Sequence, residues 1–413
     1  MKKVIVSDPV ILAQSTTEPV MFGGYQDPHI RNKDGVLYIR FNARRDSVET
    51  FGLEDANPVY KSTDDGETWK KVSNPSDVWM RAKQPLPNGD ILEIREHRPI
   101  FNIWDKIKDV KIDESRKGIA AIGEAYDAYL VDELAPLFEG ELTKSVNCKR
   151  IYAGTNEIVE ETCQINWKNM PVRYTRGMIR RDSIGYTVDA DGVLWGAYEG
   201  PYILEDGTAG SKRMCSHILR SDDFGHTWDY VNTLVYKEEY NKPNSKDLEG
   251  FTENEIIFPD DGSMVGIVRA GSLFPLPGPK MGDKDHPAPY MYYYKTSDKF
   301  KSFDFIKPFY DYGVCPRAVK LDCGTFVLVS GRPGIYVRTC DDPAGEKWND
   351  IIETLHVPED EVYEEYWKYT CSNTGICALN ENTAMFVYAD FTLPDPEGVR
   401  AKSILVRKVT IEE

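Results

Sequence analysis

The stretch STDDGETW at residues 62–69 decides how the chain is read, because it returns almost unchanged as SDDFGHTW at 221–228. Each copy places a Ser, an Asp, a Gly, a Thr and a Trp at the same spacing: Ser62, Asp64, Gly66, Thr68 and Trp69, then Ser221, Asp223, Gly225, Thr227 and Trp228. Local chemistry accounts for the pattern. The Asp carboxylate accepts backbone N–H groups inside a tight turn, and the Gly takes a left-handed conformation. The Trp then folds back as an apolar cover. Looser copies follow as TSDKFKSF (296–303) and TCDDPAGEKW (339–348). Such a turn joins strands and does no chemistry itself, so the functional residues are sought at the other ends of those strands.

Around these turns six segments share one plan, an apolar run, a polar Gly- or Asn-bearing turn and a second apolar run. They lie at 27–44, 81–98, 184–200, 253–269, 316–332 and 373–390. Each predicts a β-hairpin, and repeats spaced by tens of residues predict an array of sheets. The composition agrees. The 24 Tyr, 16 Phe and 8 Trp favour strands, and 31 Gly with 25 Pro supply turns. With 413 residues, 41% of them hydrophobic, the chain can bury a large core.

The net charge of −17 argues against nucleic acid or an anionic membrane as a partner of the whole surface. MKKVIVSDPVILAQS lacks the apolar run of a signal peptide, and no stretch reaches the roughly 18 apolar residues of a membrane helix. The eight cysteines form no CxxC, so they are read as reduced thiols of a cytoplasmic protein. No His/Cys spacing predicts a metal site, and no cofactor is expected.

STDDGETW and SDDFGHTW resemble the Asp-boxes (BNR repeats) of the sialidase (neuraminidase) superfamily, and the two looser copies resemble degraded versions. The resemblance covers nearly the whole chain. It implies an all-β fold, a single six-bladed β-propeller over 1–413, with the N-terminal VIVSDPVIL pairing with the C-terminal AKSILVRKVTI to close one blade. Residues 101–175 exceed any ordinary connection and are read as a partly helical insertion in the second blade. The spacing of Ile119, Ile122, Ala125, Tyr126 and Tyr129 predicts one helical face there. A cap over the pocket, a homo-oligomer contact or plain surface elaboration would account for it.

In a propeller the openings of the innermost strands and the ends of the second strands gather at one mouth. The openings supply Gln26, Asp27, Arg81, Asp182, Glu253, Arg317 and Asn373; the ends supply Arg40, Arg44, Arg95, Arg98, Glu199, Arg269, Arg332 and Asp390. Charges at the ends of apolar strands are costly unless paired or functional. Arginines bind carboxylates as planar forks, and paired carboxylates suit glycosidic chemistry.

GFTENEIIFPDDGSMVGIVR (250–269) resembles the sialidase segment in which a Glu opens the strand and an Arg closes the hairpin, at Glu253 and Arg269. The resemblance implies that Glu253 assists a tyrosine nucleophile, and that Arg269, Arg332 and Arg44 hold a substrate carboxylate. It also implies a general acid in the following loop, at Asp46 or Glu49. Two departures stand out. YQDP places Gln26 and Asp27 where the family carries Arg, and SNTG replaces the strand opened by tyrosine, leaving Tyr369 as the nearest candidate. In a second reading Asp27 is a general base, with Glu253 or Asp182 as the acid. The expected function is hydrolysis of a small sugar, anionic ones included. A sugar-binding propeller without catalysis and a uronic-acid lyase are the other readings.

Overall fold

The computed structural model describes residues 2–15, 27–42, 57–73, 85–94, 99–121, 124–175, 177–180, 184–237, 250–270, 291–310, 313–358, 361 and 368–412. Among the described residues the fold is nearly all β, with 52% in strands and 5% in helices. The chain divides into two compact units. The first comprises Met1–Gln84, Pro259–Gly262 and Tyr312–Glu413; the second comprises Pro85–Phe258 and Ser263–Asp311.

The first unit holds two four-stranded antiparallel meanders. One runs His29–Lys33, Val36–Arg40, Val59–Ser62 and Lys70–Lys71; the other runs Val314–Lys320, Phe326–Gly331, Ile335–Cys340 and Ile352–Leu355. Its third sheet pairs Thr374–Asn380 with Thr383–Asp390, and that strand with Lys402–Glu412. Lys402–Glu412 is long enough to hold both N-terminal strands on its other side. Val6 stands opposite Val409 and Val10 opposite Val406, so the two chain ends share one sheet, as the sequence predicts.

In the second unit Ile184–Val188, Leu194–Gly200, Cys215–Ser221 and Thr227–Leu234 form one meander. A parallel pairing of Ile158–Asn166 with Thr227–Leu234 joins it to Ser145–Ile151 and Ile91–Ile94, giving seven strands. A four-stranded meander runs Thr252–Ile257, Met264–Arg269, Met291–Thr296 and Phe305–Tyr310.

The repeated turns join the third and fourth strands of four meanders, and their geometry is the one their residues call for. Thr68 N–H donates to Asp64 Oδ1 at 3.0 Å, Gly66 N–H to Ser62 Oγ at 2.9 Å, and Trp69 Nε1–H to the Gly66 carbonyl at 3.0 Å. Thr227, Gly225 and Trp228 repeat these three bonds at 2.9, 2.9 and 3.1 Å. The hydroxyls of Ser62 and Thr68, with the Thr68 amide, pull the Asp64 carboxyl down to about 2. Gly66 takes φ +82°, which favours glycine, and an ideal Cβ there lies 2.3 Å from Met385 Cε on the neighbouring sheet. In 296–303, Phe300 stands in the Gly position at φ 64° and buries its ring against Trp195 and Phe303.

The segment 101–175 departs from the helical reading. Ile119–Ala121 and Glu124–Leu130 are strands of a five-stranded sheet that also contains Pro171–Thr175, Met178–Arg180 and Ile100–Phe101. Its helices are short, Trp104–Ile107 and Val131–Leu134. The tyrosine-rich run 124–130 suits a pleated surface, and pairing of Asp127–Leu130 with Pro171–Tyr174 satisfies its backbone. A spacing of three and four over so short a stretch does not separate the two periods.

Two predictions follow from this packing. The Ser372 carbonyl oxygen lies 1.7 Å from an ideal Cβ on Gly331, while nothing stands within 4 Å of one on Gly185. Gly331→Ala therefore costs about 1–3 kcal/mol of stability or more, and Gly185→Ala stays within about 0.5 kcal/mol; denaturant melts of both variants check this.

His217 is fully buried, with Nδ1 2.8 Å from Thr233 Oγ1 and Nε2 3.1 Å from the Pro201 carbonyl. A carbonyl only accepts, so Nε2 carries the proton, and burial pushes the imidazole down from 6.5 to about 3. Between those values the unfolded chain binds the extra proton. Stability then falls as pH drops through that window, by up to about 1.4 kcal/mol per pH unit from this residue. Melting points measured from pH 7 to 4 fall less steeply in His217→Gln.

Candidate active site

Among the described residues, four sheets open an edge strand with a backbone conformation that sequence reading does not reveal. In the first unit Asp27, Cys315 and Ser372 have φ of 40°, 49° and 68°; in the second unit Glu253 has φ 45°. These are left-handed values that a side chain adopts at a cost of roughly 1–3 kcal/mol. At Glu253 and Cys315 they coincide with bulges, between Thr252 and Asn254 and between Val314 and Arg317. A bulge re-aims the residue it carries, and bulges concentrate beside active sites. The sequence-derived candidates Asp27 and Glu253 both occupy such openings.

In the second unit Glu253 meets residues from two neighbouring strand ends. Arg269, at the end of Met264–Arg269, places Nη1 2.7 Å from Glu253 Oε1. The Arg269 side chain is almost wholly buried, whereas that of Glu253 keeps 22% of its surface exposed. From the end of Leu194–Gly200, Glu199 Oε1 accepts the Glu253 backbone N–H. The next residue, Asn254, is tied by Nδ2 to Ser216 Oγ and by Oδ1 to the Tyr294 hydroxyl, both at 2.9 Å. Gly266 leaves the space that the Tyr294 ring fills; an ideal Cβ there lies 1.9 Å from Tyr294 Cζ. Glu253 is thus held from two sides, its carboxylate by the Arg269 guanidinium and its backbone N–H by the Glu199 carboxylate. Glu199 entered the reading as a strand end without a role; its contact with Glu253 joins residues 54 apart.

In the first unit Asp27 Oδ2 lies 3.1 Å from His29 Nε2, and Asp27 Oδ1 accepts from Asn373 Nδ2 at 3.2 Å. The Cys315 thiol donates to Asn373 Oδ1 at 3.1 Å. Arg332 follows Phe326–Gly331 at φ 65°, with its side chain nearly buried and its N–H on the Gly334 carbonyl at 2.8 Å. Arg317 Nη1 donates to the Pro316 carbonyl at 3.1 Å. Tyr369 packs on the turn at 391–400. Its carbonyl accepts the Phe391 N–H at 2.8 Å, and the Arg400 guanidinium stands 5.5 Å from its ring centroid. Gln26, Arg44, Asp46, Glu49, Arg98 and Asp182 lie outside the described residues.

The structure also gathers a group that spacing did not predict. Ligand atoms of Cys148, Glu161 and Cys163 lie within 4.8 Å of one another. The buried Arg150 already holds Glu161, Nε to Oε1, at 2.6 Å. A dication beside that guanidinium would be repelled, so the group is built as an ion pair next to two core thiols.

No protein-family model matches the sequence, and no curated protein matches it. Among solved structures the chain is similar to a protein of unknown function from Dyadobacter fermentans DSM 18053. That pair is 17% identical, with TM-score 0.57 and coverage of 99% of this chain and 99% of that one. It is also similar to the GH93 alpha-L-arabinofuranosidase of Fusarium graminearum, solved in complex with arabinobiose, at 13% identity, TM-score 0.50 and 97% coverage of each chain. Trypanosoma rangeli sialidase is matched at 13% identity and TM-score 0.43, over 97% of this chain and 59% of that one. The two full-length likenesses, together with the recurring antiparallel meanders, show a β-propeller fold.

One prediction tests the strained openings directly. Ser372 is fully buried, and its hydroxyl has no hydrogen-bond partner among the described residues. Ser372→Gly removes both the unsatisfied group and the left-handed strain. It therefore raises stability by about 1 kcal/mol, read as a higher melting temperature.

Proposed function

We propose that the chain is a glycoside hydrolase on a six-bladed, sialidase-like propeller, releasing a small terminal sugar, with the arginines admitting an anionic one. The observation that carries this reading is the meeting of Glu253, Glu199 and Arg269. Glycosidic bonds are cleaved by two carboxyl groups that divide the roles of proton donor and of base or nucleophile. Glu253, ion-paired with Arg269, is suited to stabilise positive charge on the sugar. Glu199 is the second carboxyl of that site. Both lie at strand ends, where a scaffold fixes them better than a loop would.

Asp27 is the carboxylate of the first unit, reached by donors from His29 and Asn373. It is the candidate general base of the alternative assignment. Tyr369 is the nearest candidate for the nucleophile that the sialidase resemblance implies, although SNTG stands at the matching position itself; its stacking with Arg400 provides a cationic neighbour for a phenolate. Arg332 and Arg317 are the first unit's candidates for holding a substrate carboxylate. The eight unbridged cysteines support placing the reaction in a reducing compartment, the cytoplasm.

The test is turnover of an aryl glycoside panel that includes α-L-arabinofuranosides and α-sialosides. Glu253→Gln lowers kcat by roughly 10²–10⁴-fold on the substrate the parent cleaves, and a full-rate Glu253→Gln enzyme contradicts the assignment. Parallel Asp27→Asn and Tyr369→Phe variants tell which further residue carries chemistry. Sugar binding by the parent without turnover of any panel member identifies a lectin-like propeller instead.

A further inference from the structure

We propose that Cys315 and Asn373 are positioning residues that fix the orientation of the Asp27 carboxylate through a relay of side-chain hydrogen bonds. The inference rests on the reading of Asp27 as a working carboxylate, and it adds two residues that the sequence reading gave no such role.

The relay follows from donor and acceptor chemistry. A thiol is a donor, if a weak one, and it faces Asn373 Oδ1 at 3.1 Å. That contact leaves the amide NH₂ on the side of Asp27, where Nδ2 donates to Oδ1 at 3.2 Å. With the amide reversed, its carbonyl oxygen would face a carboxylate and its NH₂ a poor acceptor, so both neighbours select the same orientation. The second carboxylate oxygen faces His29 Nε2 at 3.1 Å. A carboxylate only accepts, so that nitrogen carries its proton. Each oxygen of Asp27 therefore has a donor of its own, and the plane of the carboxylate is set.

The backbone makes the relay stiff. Cys315 and Asn373 are 5% and 3% exposed. Cys315 is held at φ 49° and Asp27 at φ 40°, and each is followed by a proline. The Cys315 carbonyl accepts from Thr374 Oγ1 at 3.5 Å. Across the next strand, an ideal Cβ on Gly375 lies 2.8 Å from the Pro28 carbonyl oxygen. The strands carrying Asn373 and Asp27 thus approach backbone to backbone. Asp27 keeps 21% of its side chain accessible while Cys315 and Asn373 are buried. Hydrogen-bond partners of metal ligands are typically worth 10–100-fold in activity, and the same range is expected for partners that orient a working carboxylate.

The experiment uses the full chain with Cys315→Ala, Cys315→Ser, Asn373→Ala and Asp27→Asn. The first readout is the NMR signal of the His29 imidazole at one fixed pH, resolved among six histidines; it needs no activity. The relay predicts that Cys315→Ala and Asn373→Ala move this signal, whereas Cys315→Ser, which keeps a donor, returns it toward the parent position. The second readout is turnover on the substrate the parent cleaves. Asn373→Ala lowers kcat about 10–100-fold with KM within about twofold, and Cys315→Ser stays within about threefold of the parent.

An unmoved His29 signal in both alanine variants overturns the relay whatever the activity does. Full activity in Asp27→Asn overturns the reading of Asp27 and leaves the relay to be judged on His29 alone. Should Asn373→Ala fail to fold, the two cysteine variants carry the comparison, with loss of the difference between Ala and Ser as the contrary result.

Discussion

A left-handed residue at the head of an innermost strand is the constraint on which the candidate site depends. A regular antiparallel pair would alternate its side chains and bury the first one against the neighbouring sheet. At Glu253 and Cys315 the chain inserts one extra residue into the ladder, which turns that side chain along the strand end instead. Asp27 and Ser372 reach the same conformation at the equivalent point. The conformation is unfavourable for L-residues, so it persists because the surroundings determine it from several sides. In the second unit those surroundings are Glu199, which accepts the Glu253 amide, and Arg269, which grips its carboxylate. In the first unit they are the backbone contacts admitted by Gly331 and Gly375.

The opposite ends of the sheets obey a different economy. There the repeated turns close each hairpin by purely local bonds, carboxylate to amide, hydroxyl to amide and indole to carbonyl. Such a turn is specified within eight residues and tolerates loss of one member, as Phe300 in the Gly position shows. The scaffold is therefore fixed by short-range chemistry at one end of the strands, and the candidate site by long-range contacts at the other.

That division explains what was legible in the sequence. The turns, five of the six hairpins and the shared sheet of the two termini are readable, because each depends on spacing within a short segment or on an unpartnered apolar run; of the sixth, at 81–98, the described strand Ile91–Ile94 pairs with Ser145–Ile151 instead. Asp27, Glu253 and Arg269 were found by their place at strand ends. Glu199 and Asn373 were on the same list without a role, since nothing local says which carboxylate or amide they touch. Cys315 is read there only as one of eight reduced thiols; its partner lies 58 residues away. The strand Glu124–Leu130 was misread because its tyrosines and alanines fit a helical stripe as well as a pleat, and pairing with Pro171–Thr175 decided between them.

The central claim is that a carboxylate held at a strained strand opening does the chemistry, and Glu253→Gly tests it most directly. Glycine accepts φ 45° without strain, so the fold keeps its backbone while the carboxylate is lost. If Glu253 acts on the sugar, this variant is inactive on an aryl glycoside the parent cleaves, and added azide restores release of the aryl group with the glycosyl azide as product. Parent-level hydrolysis by Glu253→Gly without azide would contradict the account.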